Sequence, residues 1–225
     1  MNNATLSLAG AELVPLPAGA LWWPETRVLA VGDLHLGRAE RIARREGRML
    51  PPYETRETLD RLDEVIRETD PATVISLGDA FDDLSAAEAC ATDVVEGLCR
   101  MAAGRRWIWI AGNHDPGPVD LPGSFLKELA VGPLMFRHAA APCHDDTSGE
   151  ISGHFHPKMR VTIRGQRIAR TCFLTSGQRL ILPAFGTYTG GLDITSPVFG
   201  ALLGEEAVAL LTGRRITALP VRLAA

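Results

Sequence analysis

Four short motifs set carboxylates, an amide and imidazoles along the chain: Gly32-Asp33-Leu34-His35, Gly78-Asp79, Gly112-Asn113-His114-Asp115 and Gly153-His154-Phe155-His156. Asp33 and His35 stand two residues apart, as do His154 and His156. In extended chain, residues i and i+2 point to one side, so each pair can offer two ligands to one centre. The donors mix oxygen and nitrogen and include no thiolate, which suits Mn, Fe, Zn or Co better than Ca or an all-oxygen Mg site. They outnumber what one tetrahedral ion needs. Two divalent transition-metal ions roughly 3.5–4 Å apart, sharing a bridging carboxylate, would suit in-line displacement at phosphorus. Any one motif alone is more often a turn or a surface histidine. The four together, each at the end of a segment that reads as a strand, point to metal chemistry.

The elements that must position these residues can be read from periodicity. RVLAVGD (27–33), TVISLGD (73–79) and WIWIAGNHD (107–115) are apolar runs ending in polar clusters, expected as buried strands. Residues 54–69 place Leu59, Leu62, Val65 and Ile66 on one helical face. Ser85, with Glu88 three residues on, predicts the start of a second helix running to Gly104. Strand, helix, strand, helix, strand predicts two crossover units and a parallel sheet, with ligands outside the carboxyl ends of the strands. The opening segment, Thr5 to Pro17, predicts a hairpin turning at Ala9-Gly10. Beyond residue 130 the segments 134–138, 150–156, 160–165, 169–176, 179–184 and the 198–211 region read as short strands. The expected fold is α/β in a single domain, with two sheets face to face and helices outside. Trp22, Trp23, Trp107 and Trp109 are expected in the core, with base stacking open for the first pair.

The chain has 225 residues, 46% hydrophobic and 22% charged, which is ordinary for a globular protein and excludes disorder. No apolar run approaches the roughly 20 residues of a spanning helix. The start has no basic, apolar signal pattern, and the four cysteines form no C-x-x-C pair, so a cytoplasmic protein with reduced thiols is expected. The net charge of −4 argues against a generic nucleic-acid binder, but it hides a split. Residues 38–48 carry five Arg against two Glu. Residues 49–150 carry 8 basic against 19 acidic residues, and residues 151–225 carry 9 against 3. An acidic middle between basic flanks can hold metal and still attract a polyanion.

GDLH, GD, GNHD and GHFH in this order resemble the calcineurin-like metallophosphoesterase superfamily. The resemblance implies a four-layer α/β/β/α sandwich of two mixed sheets with a dinuclear site. It puts Asp33, His35 and His156 on one metal, Asn113 and His154 on the other, and Asp79 between them. It also implies one more histidine at a strand end, for which His138, after LMFRH, is preferred over His144. His114 would protonate the leaving oxygen, and Asp115 would either orient His114 or cap a turn. Across nearly the whole chain, WPETRVLAVGDLHLG, LPPYETRETLDRL, WIAGNHDP, EISGHFHPK and LPAFGTYTGGLD are similar to the bacterial ligase-associated DNA-damage-response phosphoesterase family. That similarity implies a Mn-dependent endonuclease on single-stranded DNA in repair, beside a helicase and a DNA ligase and without a membrane. A hydroxide activated by the two metals would be its nucleophile. The alternative is a small-molecule or nucleotide phosphodiesterase or phosphatase with the same metal site. Arg38 and Tyr188 are candidate substrate contacts. The family commonly has His three residues after the bridging Asp, whereas GDAFDD places Asp82 there. Asp82 would then face the substrate and repel its charge, or hold a metal-ligating histidine from behind.

Overall fold

The Ala9-Gly10 turn joins β1 (Leu6–Leu8) to β2 (Ala11–Pro15) in the computed structural model, which describes residues 5–88, 90–115, 117, 120–142 and 148–224. Leu8 pairs with Ala11, and both loop residues have positive φ (48° and 82°), as a two-residue type I′ hairpin requires. β3 (Leu21–Trp23) and β4 (Val28–Val31) continue the antiparallel meander. β5 (Thr73–Ser76), β6 (Arg106–Ile110) and β7 (Ser124–Leu126) then add in parallel. The expected crossover units are the β4–β5–β6 core of this seven-stranded mixed sheet.

The second sheet holds eight strands. In chain order its strands are β8 (Glu128–Val131), β9 (Leu134–Arg137) and β10 (Gly149–Ser152). They are followed by β11 (Lys158–Ile163), which joins the sheet through β12 (Gln166–Ser176), and by β13 (Arg179–Ile181). β14 (Glu206–Leu211) and β15 (Thr217–Arg222) complete the sheet. β9, β10 and β13 run parallel, and the rest are antiparallel.

Three apolar interfaces stack these layers. Alternation in β4 sends Leu29 and Val31 to one face and Val28 and Ala30 to the other. The first pair meets Leu59, Leu62, Val65 and Ile66 of α2 (Glu54–Thr69) and Leu98 and Met101 of α4 (Thr92–Ala102). Val28 and Ala30, with Ile75 and Ile108, meet Phe136, Ile151, Phe173 and Leu180 of the second sheet. On that sheet's far face, Leu174, Ile181 and Ala209 lie under Phe199 and Leu203 of α5 (Pro197–Leu203). Helix, sheet, sheet, helix is the order of the layers. Each fully buried Leu, Ile or Phe contributes about 1.5–3 kcal/mol to this stack. Trp107, Trp109 and Trp23 are buried and Trp22 packs against the helical layer, so the tryptophans are core residues.

Two expected elements differ. The helix over 85–104 is two, a short one at Leu84–Glu88 and then α4, because its halves face different partners. Ala86 packs against Gly37, while α4 lies on α2. Its cap is Asp83, whose Oδ1 accepts the Ala86 N–H at 2.8 Å, and Ser85 lies inside the helix. The region 198–211 begins as α5 and becomes a strand only at Glu206. Ser196-Pro197 marks that start, since Pro is favoured in the first helical turn. Among the described residues no helix is long and apolar enough to cross a membrane.

Candidate metal centre

β4, β5 and β6 end level, with Val31 opposite Ser76 and Ser76 opposite Trp109. Their following loops therefore emerge side by side, and they keep pairing beyond the strands. His35 N–H donates to the Asp79 carbonyl at 2.9 Å, Leu36 N–H to Ala80 at 2.9 Å, and Asp82 N–H to Leu36 at 3.0 Å. From the facing sheet, His138 follows β9 and Gly153-His154 follows β10. Gly153 N–H donates to the His138 carbonyl at 2.8 Å. The two sheets thus deliver all four motifs to one edge. His138 stands among them, whereas His144 lies outside the described residues.

Packing there leaves no room for extra atoms at certain glycines. A Cβ at Gly78 (φ 89°) would strike the His138 imidazole, and one at Gly112 would strike the Asp79 carboxylate. His35, Asp79, His154 and His156 all have positive φ, between 46° and 68°. Left-handed backbone costs a non-glycine residue roughly 1–2 kcal/mol, and such strain persists where surrounding structure over-determines a site.

Among the described residues the ligand atoms form two separate groups, linked by a third made of His35, Asp79 and His114. Asp33, His35 and His156 place one donor atom each within 4.8 Å of the others, and so do Asp79, His138 and His154. Asp79 Oδ2 lies 4.0 Å from His35 Nε2 and 3.5 Å from His138 Nε2, the position of a bridging carboxylate between the groups. Asn113 Oδ1 lies 2.9 Å from His138 Nε2, and His154 Nδ1 lies 3.0 Å from the same nitrogen. Asp33 Oδ1 and His156 Nε2 are 3.1 Å apart, yet both are buried with no aligned hydrogen-bond partner, as is His35 Nε2. Buried polar atoms left without partners are costly. Here the three converge on one point, where a divalent cation would satisfy them, and the Asp79, His138 and His154 group offers a second set of donors. The donor set fits metal.

Protonation follows the same geometry. Burial alone would raise the Asp33 carboxyl, but contact with His156 and the nearby His138 and His35 hold it below its ordinary value. Burial, then the neighbouring His138, push His154 down, toward the neutral form that binds metal. His138 Nδ1 donates to the Leu77 carbonyl at 2.8 Å, which leaves Nε2 as the ligating nitrogen.

Of the two readings of Asp82, the geometry favours the partner of a metal-ligating histidine, and Asp115 takes a role that was not expected. Asp82 has no exposed surface and cannot touch substrate. One carboxylate oxygen lies 2.8 Å from His35 Nδ1, at an angle short of an ideal hydrogen bond, and 2.8 Å from Arg38 Nη1. The other oxygen accepts from Arg41 Nε. Burial would raise this carboxyl, but His35, Arg41 and Arg38 outweigh it and lower it strongly. Arg38 and Arg41, on α1 (Arg38–Glu46), are therefore tied to Asp82, with about a fifth of each side chain exposed (20% and 19%). Asp115 does not orient His114: His114 Nδ1 lies 2.8 Å from the Asp82 carbonyl, which can only accept. Asp115 instead accepts the Phe81 N–H at 3.0 Å, bracing the Asp79 loop, and burial pushes it up to about 6 with help from Asp79. Arg41 was missed, although its place three residues after Arg38 puts both on one helical face.

Residues 26–158 match the family of calcineurin-like phosphoesterases, well over half of the chain. The chain belongs to that family. The protein is a metal-dependent phosphoesterase. The nuclease MPE of Pseudomonas putida has a similar structure, with 30% sequence identity and a TM-score of 0.77. That match covers 97% of this phosphoesterase and 100% of the nuclease. The phosphoesterase Yfce of E. coli matches more loosely, with 12% identity and a TM-score of 0.42 over 87% of this chain and 99% of that one. No curated protein sequence matches.

Proposed function

We propose that this phosphoesterase is a nuclease, a Mn-dependent endonuclease that cuts single-stranded DNA in repair. The observation that carries the reading is its full-length likeness to a nuclease. The mixed carboxylate, amide and imidazole donor set suits Mn, Fe, Zn or Co better than Ca or an all-oxygen Mg site, and Mn among them rests on the family resemblance of the motifs. The repair setting, with a helicase and a DNA ligase as partners, rests on the family resemblance of the motifs.

Divalent ions supply Lewis-acid charge at a phosphoryl oxygen and acidify bound water. The rest falls to the chain. Asp33, His35 and His156 would hold one ion, and Asn113, His138 and His154 the other, with Asp79 between them. The His114 ring lies edge-on to His35 with centroids 5.1 Å apart, and one of its nitrogens is within 4.8 Å of donor atoms of His35 and Asp79. Nδ1–H is committed to the Asp82 carbonyl, so Nε2 is the nitrogen that, in the imidazolium form, gives its proton to the leaving oxygen and leaves the ring neutral. His114→Ala is expected to cut kcat by about 10²–10⁴-fold while leaving the bound metal unchanged. Metal analysis beside turnover checks this, and loss of metal would make His114 a ligand.

An acidic side chain facing the substrate would have favoured small phosphodiesters. Asp82 is not such a residue, because it is buried beneath Arg38 and Arg41. The reading is tested by giving metal-free protein Mn²⁺ and offering single-stranded circular DNA, bis-p-nitrophenyl phosphate and a nucleotide panel. Opening of the circle is expected. Hydrolysis of the small esters alone would discard DNA and keep the phosphoesterase.

A further inference from the structure

The segment Phe185–Leu192 is pinned against both ends of one ligand group. Gly186 N–H donates to the Asp33 carbonyl at 3.0 Å, and Gly191 packs on the His156 carbonyl so closely that a Cβ would not fit. Between these points the loop is held from several sides. Thr58 Oγ1 accepts the Thr187 N–H at 3.0 Å, Thr189 Oγ1 donates to the Gly186 carbonyl at 2.7 Å, and Lys158 Nζ donates to the Thr189 carbonyl at 2.9 Å. Arg61 donates to the Phe185 carbonyl and lies over its ring, 4.6 Å from the centroid.

Tyr188 sits at the apex of this loop with φ 61°, a conformation that glycine or asparagine would adopt more cheaply. Its ring leans on Tyr53, which is 54% exposed, with centroids 6.0 Å apart and planes 54° apart. The neighbouring Tyr53 pushes the Tyr188 hydroxyl up. Neither ring covers the other, as a parallel stack would. Two residues of chain span at most about 7 Å, so Tyr188 stands within that reach of Gly186 and hence beside the Asp33 end of the centre. Lys158 Nζ, held on the Thr189 carbonyl, puts a cation on the same rim. A turn that served only to join strands would need neither the strained aromatic nor its exposed partner.

We infer that Tyr53 and Tyr188 form a stacking platform for one unpaired nucleobase next to the phosphodiester that is cut, with Lys158 facing the adjoining backbone phosphate. This rests on the nuclease reading and deepens it. A base within a duplex already has both faces stacked, so the platform selects single strands or extruded bases.

The test is a cycle between protein and substrate. Wild type, Tyr53→Ala, Tyr188→Ala and the double variant, each Mn-loaded, are given an oligonucleotide with one preferred cut. They are also given the same strand with abasic nucleotides flanking that cut. The double variant is expected to lose about ten- to a hundred-fold in kcat/KM on the intact strand, chiefly through KM. Wild type is expected to lose a similar factor on the abasic strand, and the double variant nothing further there. Tyr188→Phe is expected to keep most of the effect, since stacking needs the ring and not the hydroxyl. Metal content and melting temperature confirm that the centre is intact. Equal losses on intact and abasic strands would make the pair a loop brace and overturn the platform, as would no loss on either. Wild-type protein that cuts no DNA, yet hydrolyses small diesters, would instead overturn the nuclease reading and the platform with it.

Discussion

Asp79→Ala loses hydrolysis to background and strips metal from both halves of the centre. Asp79 Oδ2 stands between His35 Nε2 and His138 Nε2, at 4.0 and 3.5 Å, while Oδ1 accepts the His114 N–H at 2.9 Å. One truncation thus removes the shared donor and frees the backbone that carries the proton donor. A loss of at least about 10³-fold in kcat/KM, or ~4 kcal/mol of transition-state stabilisation, is expected. Asp79→Asn separates the two effects. Its amide oxygen can still accept from His114, so the fold is kept, but its neutral side chain cannot bridge two cations well. Both variants are checked by turnover of bis-p-nitrophenyl phosphate and by metal content after equilibrium dialysis. Wild-type turnover would sink the bridging role. Loss of one ion with retention of the other would reduce Asp79 to a ligand of a single ion.

What could be read beforehand was local. Asp33, His35, Asp79, Asn113, His154 and His156 stand out because each follows an apolar run short enough to be a strand, and strand ends are where such sheets bind. The helix over 54–69 was legible to the residue, since its apolar stripe is regular and Asp70-Pro71 stops it. His138 could be favoured over His144 by the run LMFRH before it. The rest depended on distant partners. Asp82 meets Arg38 and Arg41 from 44 and 41 residues away, through loops that go on pairing after their strands end. Tyr53 meets Tyr188 because the second sheet sends the loop after β13 to the mouth of the first. Periodicity carries no information about such meetings. It also overextended the helix after Ser85, where two segments with different partners share one continuous helical pattern.

The buried carboxylate of Asp82 is where stability and metal affinity should fall together. It is shared among His35, Arg38 and Arg41, and it has no exposed surface. Asp82→Ala leaves two guanidinium groups facing a void and His35 Nδ1 without its acceptor. Breaking a buried ion pair by removing one partner costs about 3–5 kcal/mol. For a chain of this size each kcal/mol shifts Tm by about 2–4 °C, so a fall of about 6–20 °C is expected. His35 also loses what orients it toward the metal, and the loss of such a partner weakens metal binding by about 10–100-fold. Scanning calorimetry of metal-free protein and calorimetric titration with Mn²⁺ read the two effects separately. Asp82→Asn should fall between, because its amide can accept from one neighbour but presents a donor to the other. Asp82→His tests the residue that the motif resemblance implies at this position. An imidazole cannot satisfy two guanidinium groups, so it should restore neither Tm nor affinity unless Arg38 and Arg41 are replaced as well. A variant at Asp82 with wild-type Tm and wild-type Mn²⁺ affinity would show that the carboxylate merely fills space between α1 and the centre.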